Sequence, residues 1–237
     1  MAKGEVVVTA EQYKKKKKFE KIVIIVLLVL LLLLAISYFV LNIIYNEGSF
    51  TISMDKNTYL RSNLVMYESL NNRSNVRRLS TAEMPFMDNI SIKWLPDNIQ
   101  NEADGAHNGE NYIAYTFYLE NRGNEPINYW YSVTLDDVIK NVDEAVRFMI
   151  YRNDESVVYA KLNSNTNEPE KGTTPFRDDE DGTIILEERA DMMPEDIDKI
   201  TIVIWLEGDD PECVNALLGG EIKMHMDIME EHTEESV

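Results

Sequence analysis

ITIVIWLEGDDPECVNALLGGEIKMHMDIM, residues 200–229, decides how the chain folds. Ile200–Leu206 is apolar or β-branched on both faces, as a strand in the middle of a sheet must be. Glu221–Met229 alternates instead. Ile222, Met224, Met226 and Ile228 share one face, and Glu221, Lys223, His225 and Asp227 share the other, the pattern of a strand with one packed face and one wet face. Between them, Glu207–Gly220 is too long for a tight hairpin and suits a strand that crosses to a second sheet. Asp210 is placed to cap a short helix with Pro211 at its first position, Cys213, Val214, Leu217 and Leu218 on its inner side, and Gly219-Gly220 as its stop. Cys213 then reads as a small, partly buried hydrophobe.

The same two patterns recur upstream. Asn89–Trp94 (NISIKW) alternates, with Ile90, Ile92 and Trp94 on one side. Tyr112–Leu119 and Ile127–Leu135 are rich in aromatic and β-branched residues, and the linking ENRGNEP has the chemistry of a turn, which predicts an antiparallel hairpin. Val146–Tyr151 and Val157–Leu162 form a second hairpin across Asn153-Asp154. With Phe50–Met54, Leu64–Tyr67 and Thr183–Leu186 this makes nine or ten strands. Asp136–Lys140 is the place for a short helix, and residues 98–110 and 163–182 read as surface loops. Many short strands with frequent turns predict an all-β fold, a two-sheet antiparallel β-sandwich of Ig-like or jelly-roll type.

The N-terminus differs in kind. Ile22–Leu41 is an uncharged run of 20 residues, extended by Ile43, Ile44 and Tyr45. At about 1.5 Å per residue that length crosses a hydrocarbon core of about 30 Å. The run exceeds a signal-peptide core and lacks small residues at a cleavage site, so a retained transmembrane α-helix is expected. Residues 1–45 hold seven lysines against three glutamates, a net of +4, while the whole chain carries −19, which leaves −23 on the remainder. Lys14–Lys18 and Lys21 precede the span, so the positive-inside rule places the N-terminus in the cytoplasm and the C-terminal domain outside a cell membrane. Tyr38 and Tyr45 suit the outer interface. The organisation expected is a basic cytoplasmic segment (1–21), a signal-anchor helix in the lipid bilayer (22–45), an extracytoplasmic β-sandwich (46–230) and an acidic tail (231–237). Asn46-Glu47-Gly48 makes a very short link, so the first strand is expected close to the membrane.

Chemistry is harder to find. One cysteine excludes an internal disulfide framework. His107, His225 and His232 fit no zinc-ligand spacing. Arg177–Glu188 (RDDEDGTIILEE) has acids and Gly182 where a calcium loop wants them, but Arg177 stands where the first carboxylate belongs, so a solvated acidic turn is expected. No nucleophile elbow, phosphate loop or dinucleotide fingerprint occurs. A −23 domain repels phosphate backbones, which argues against nucleic acid. Asn72-Arg73-Ser74 and Asn89-Ile90-Ser91 match the N-glycosylation pattern. The residues therefore nominate no catalytic, cofactor-binding or metal-binding side chain, no cofactor, and as partners the bilayer with protein contacts or self-assembly at the cell surface.

Two stretches carry a resemblance. IVIWLEGDDPECVNALLGGEIKMHMDI (202–228) resembles the C-terminal end of TasA/camelysin-like surface proteins of Gram-positive Firmicutes, and LENRGNEPINYWYSV (119–133) is similar to an N-x-G-x-x-P hairpin common in such extracellular sandwiches. The resemblance implies a β-sandwich with a structural role in envelope or biofilm matrix. It also implies metallopeptidase activity for camelysin-like members, although this chain offers no ligand motif to carry that over. The leading expectation is a non-enzymatic surface protein, the alternatives a surface metallopeptidase or an accessory or sensor module for a membrane partner.

Overall fold

The computed structural model describes residues 10–45, 50–81, 84 and 86–231. The link at residues 46–48 and residues 232–237 of the acidic tail, with His232, lie outside them. The chain divides into two compact units, Met1–Asn46 and Glu47–Val237.

The first unit contains one helix, α1 (Ala10–Tyr45). Within its segment Gln12–Phe39 an 18-residue window reaches a mean hydropathy of 3.3, and none of that window is buried by protein. A helix apolar all round needs an apolar surround, because no single face can turn away from water. The uncharged run Ile22–Leu41 of α1, 20 residues or about 30 Å of helix, is long enough to cross a bilayer.

The second unit is built of strands: β1 (Phe50–Met54), β2 (Leu64–Tyr67), β3 (Arg78–Ser80), β4 (Gly105–Ala106), β5 (Tyr112–Asn121), β6 (Ile127–Ile139), β7 (Val146–Arg152), β8 (Glu155–Ala160), β9 (Thr174–Pro175), β10 (Thr183–Met192), β11 (Ile197–Leu206) and β12 (Glu221–Glu230). One short helix, α2 (Lys56–Arg61), follows β1, capped by the Asp55 carboxylate, which accepts from the Asn57 and Thr58 N–H groups. The strands form two sheets. The first has the order β10-β6-β12-β1-β3. The second has the order β2-β5-β11-β7-β8-β9, with β4 also on β5. The sheets are mixed, which corrects the purely antiparallel expectation. The first and last strands, β1 and β12, pair in parallel, as do β8 and β9. Strands close to the two ends of a chain have no turn to force them antiparallel.

Both sheets face one apolar core. Phe50, Ile52, Tyr129, Val133, Met224, Met226 and Ile228 from the first meet Ile113, Phe117, Phe148, Ile150, Ile202 and Ile204 from the second. The alternation in β12 survives intact: Met224, Met226 and Ile228 are buried, and Lys223, His225 and Asp227 are not. β11 is buried on both faces because the second sheet carries a further layer. Ile90, Leu95 and Ile99, from the segment between β3 and β4, plug its outer face against Val203, Trp205 and Met149.

That layer explains one failed expectation. Asn89–Trp94 is not a strand. Ile90 makes a single parallel bridge to Glu207, and residues 92–94 then coil into a 3-10 turn. Burial follows Ile90, Leu95 and Ile99, while Trp94 is 76% exposed.

Tyr112–Leu119 and Ile127–Leu135 do not form a hairpin either: β5 pairs β11, β2 and β4, and β6 pairs β10 and β12. The turn between them is a corner from one sheet to the other. Asn121 pins it, donating to the Glu125 and Met192 carbonyls and accepting from the Gly123 N–H.

Asp136–Lys140 is not helical. β12 offers Glu221–Lys223 as partners, so β6 runs on to Ile139 and stops at Lys140 and Asn141, both left-handed at φ 59° and 55°. The second hairpin, by contrast, forms as read: Arg152 pairs Glu155 around Asn153, which takes φ 58°.

Candidate functional site

Each acid of Glu207–Glu212 has a structural occupation. β11 sits in the second sheet and β12 in the first, so the connection crosses between sheets as its length implied. It does so without the expected helix, since only a 3-10 turn forms at Asn215–Leu217. Val214 and Leu218 point outward, 52% and 65% exposed, rather than inward.

Asp210 is not a helix cap. Arg147 projects from β7 on the outer side of the second sheet, is 4% exposed, and donates to the Asp210 carboxylate. The other Asp210 oxygen accepts from the Glu212 N–H at 2.8 Å. A charge buried on a strand must be paired, and this demand outweighs local capping. The Glu207 carboxylate accepts from the Trp205 indole N–H at 3.0 Å, the Ile92 N–H at 3.1 Å and the Asp209 N–H at 3.1 Å, so it holds the covering segment against the sheet. Asp209 accepts from Ser91 and Lys93. Glu212 accepts from the N–H and hydroxyl of Ser164. Burial raises the Cys213 thiol, with the Asp210 and Glu207 charges adding to it, so at neutral pH it is a thiol and a poor nucleophile.

Glu170, Asp210 and Glu212 bring carboxylate oxygens within 4.8 Å of one another. Arg147 already supplies a counter-charge there, and Asn163 donates to Glu170 at 2.9 Å. The calcium-like stretch is a turn: Arg177 pairs with Asp179 at 2.7 Å, and Asp181 accepts from the Thr183 N–H at 3.0 Å. His107 turns its ring nitrogens to the Gly105 and Ile99 carbonyls. His225 lies on the wet face of β12 between Asp136, 2.8 Å away, and Asp227, 3.5 Å away.

A recess with an apolar side lies elsewhere, where the edge strand β10 faces β7, β8 and β9 across the seam between the sheets. It holds about 250 Å³ and is lined by Tyr131, Ile150, Arg152, Glu155, Val157, Tyr159, Thr174, Glu187 and Glu188. Tyr159 donates to Glu187 at 3.1 Å. Burial pushes the Tyr131 phenol up to about 12, and burial with the nearby Tyr131 and Glu187 raises Tyr159 as well. Both stay protonated at neutral pH. The recess thus combines phenol hydroxyls, carboxylates, one guanidinium and two aliphatic walls. The sequence reading nominated none of these residues. They come from β6, β7, β8, β9 and β10, and the only advance signal is that Tyr129 and Tyr131 place phenols on the packed face of β6. A larger, polar hollow of about 580 Å³ lies further along β6 and β10, between Asn63, Glu125, Asn128, Asp191 and Glu230.

No family model and no curated protein matches the chain. Among solved structures, a β-glucosidase from Kluyveromyces marxianus in complex with glucose is similar over 79% of this chain, at 12% identity and a TM-score of 0.27. A selenomethionine-labelled form of a β-glucosidase from the same organism is similar over 76%, at 9% identity and a TM-score of 0.25. The chain spans 18% of the length of each. At these scores the likeness carries no argument about function.

Proposed function

We propose that this is a single-pass membrane protein whose strand-built unit stands outside the cell as a non-enzymatic binding or structural module of the envelope or matrix, of TasA/camelysin-like type. The observation that carries the reading is α1: an uncharged apolar run that begins at Ile22, unburied by protein, behind a lysine run and ahead of a unit with its own core. The lysines set the orientation by the positive-inside rule, and the −23 charge of the remainder suits an exported, soluble surface. Two mixed sheets sharing one core read as a β-sandwich of Ig-like or jelly-roll type. The non-enzymatic reading rests on how the acids of the 207–212 loop are used: Glu207, Asp209, Asp210 and Glu212 all hold structure.

Two measurements test this. Protease added to the outer face of the membrane is expected to degrade residues 46–237 and to spare residues 1–21. A protected strand unit overturns the orientation. The purified full chain is expected to cleave no casein. Stoichiometric zinc with chelator-sensitive cleavage overturns the non-enzymatic reading in favour of a surface metallopeptidase.

A further inference from the structure

At the seam beneath β10 the core face of the sheets turns polar. Ile150 and Tyr159 belong to the shared core, so strand alternation puts Arg152 on the inner face of β7, and Glu155 and Val157 on the inner face of β8. The register agrees: Ile150 pairs with Val157, and Arg152 with Glu155. From the other sheet Tyr131, also in the core, pairs with Glu187, whose carboxylate accepts from Tyr159 at 3.1 Å. All of these residues line the one recess of about 250 Å³, and all belong to the second unit, so nothing about the recess depends on α1.

Two donors in the recess are left over. Tyr131 is 7% exposed and Arg152 is half-buried. Among the described residues the Tyr131 hydroxyl makes no hydrogen bond, and the Arg152 guanidinium makes neither a hydrogen bond nor an ion pair. The two groups are neighbours: burial raises the Tyr131 and Tyr159 phenols, and the Arg152 charge works against that rise in both. A phenol and a guanidinium both offer protons, so together they call for an acceptor. A carboxylate meets the guanidinium fork in two parallel hydrogen bonds. A simple anion does not suit the rest of the site, where Glu155, Glu187 and Glu188 set three carboxylates against one guanidinium. That excess calls for a positive group on the same ligand. Val157, 43% exposed, and Ile150 beside it supply an apolar wall.

We propose that this recess binds a small zwitterion, an α-amino acid with an aliphatic side chain, its carboxylate on Arg152 and Tyr131, its ammonium between Glu155 and Glu187, and its side chain against Ile150 and Val157. The size agrees: the recess is smaller than the about 300–1,000 Å³ of sites for drug-sized ligands. A sugar fits less well, because it lays its C–H face on an open ring, and the Tyr131 and Tyr159 rings are buried.

The test is calorimetric titration of the detergent-solubilised full chain with L-leucine, isoamylamine, isocaproate and glucose. Leucine is expected to bind saturably. The amine and the acid each lack one charged group and are expected to bind about ten-fold or more weaker, the worth of a charge-assisted hydrogen bond. Arg152→Gln is expected to weaken leucine by about ten-fold or more and to erase its advantage over isoamylamine. Arg152 has no partner to lose, so the variant is expected to unfold at the same temperature as wild type. If it does not fold, Tyr131→Phe removes only the hydroxyl and is expected to weaken leucine by about five-fold while leaving isoamylamine unchanged. Wild type that takes up no leucine, or that prefers glucose, overturns the proposal and leaves the membrane reading standing. Folded variants that bind leucine as wild type does overturn it too, since the leucine then sits elsewhere.

Discussion

Arg147 shows how a single residue reassigns its neighbours. In the sequence it is one charge in VRFMIYR, and Asp210 sits beside a proline as a cap would. In the structure the two are 63 positions apart and meet in a site that excludes water. Replacing a cap costs about 0.5–2 kcal/mol. Removing one partner of a buried ion pair costs about 3–5 kcal/mol, because the other charge is left stranded. Asp210→Asn in the full chain is therefore expected to lower stability by about 3–5 kcal/mol, read by denaturant unfolding in detergent. Arg147→Met combined with Asp210→Leu is expected to recover much of that. A loss under about 1 kcal/mol for Asp210→Asn returns the residue to a capping role. Glu207 makes the same point: three hydrogen-bond donors converge on it, and none of them is visible as a motif.

At the scale of elements, the exposed strand is β10. It has ten residues, pairs only with β6, and closes one edge of the first sheet. Such an edge invites strand addition unless it is guarded. Glu187, Glu188, Arg189 and Asp191 lie along it, and its register shifts twice, between Thr183 and Ile185 and between Arg189 and Met192. Charge and irregularity together oppose open-ended pairing. Glu188→Val with Ala190→Val, both at exposed positions, is expected to make the detergent-solubilised chain associate with rising concentration, by sedimentation velocity. Wild type is expected not to. Equal association of both proteins would mean that β10 is not the guarded edge. Hairpins differ in legibility for a related reason. The β7–β8 turn is local, two residues long, and its Asn153 accepts the left-handed backbone it needs. The β5–β6 turn looked equally local, but which sheet each strand joins depends on β10, β11 and β12, far along the chain.

The whole molecule keeps its tyrosines in the folded state's grip. Burial pushes Tyr131 up to about 12, and burial with the adjacent Glu120 brings Tyr67 to about 12. Burial with Glu68 raises Tyr115, burial with Asp104 raises Tyr118, and burial with Asp198 raises Tyr129. The unfolded chain releases these protons near pH 10, below the folded values. The folded state thus binds more protons in that window, and stability falls as pH rises above about 10 through the folded values. Below about pH 9 these groups leave stability unchanged. An alkaline titration is expected to show phenolate absorbance appearing together with loss of the β circular dichroism. Gradual ionisation of all twelve tyrosines with the fold intact would overturn this.

Periodicity is a local property, and whatever depends on it alone was determined by the sequence. The apolar length of α1, the one-sided burial of β12, the two-sided burial of β11 and the crossing of residues 207–220 all follow from the order of residue types. Pairing is not local. Parallel β1–β12, the corner at Asn121, the covering layer of Ile90, Leu95 and Ile99, the Arg147–Asp210 pair and the recess beneath β10 each need groups brought together from distant segments. Those were decided only by the tertiary structure, because a buried charge or an open strand edge is satisfied by whatever the fold places beside it.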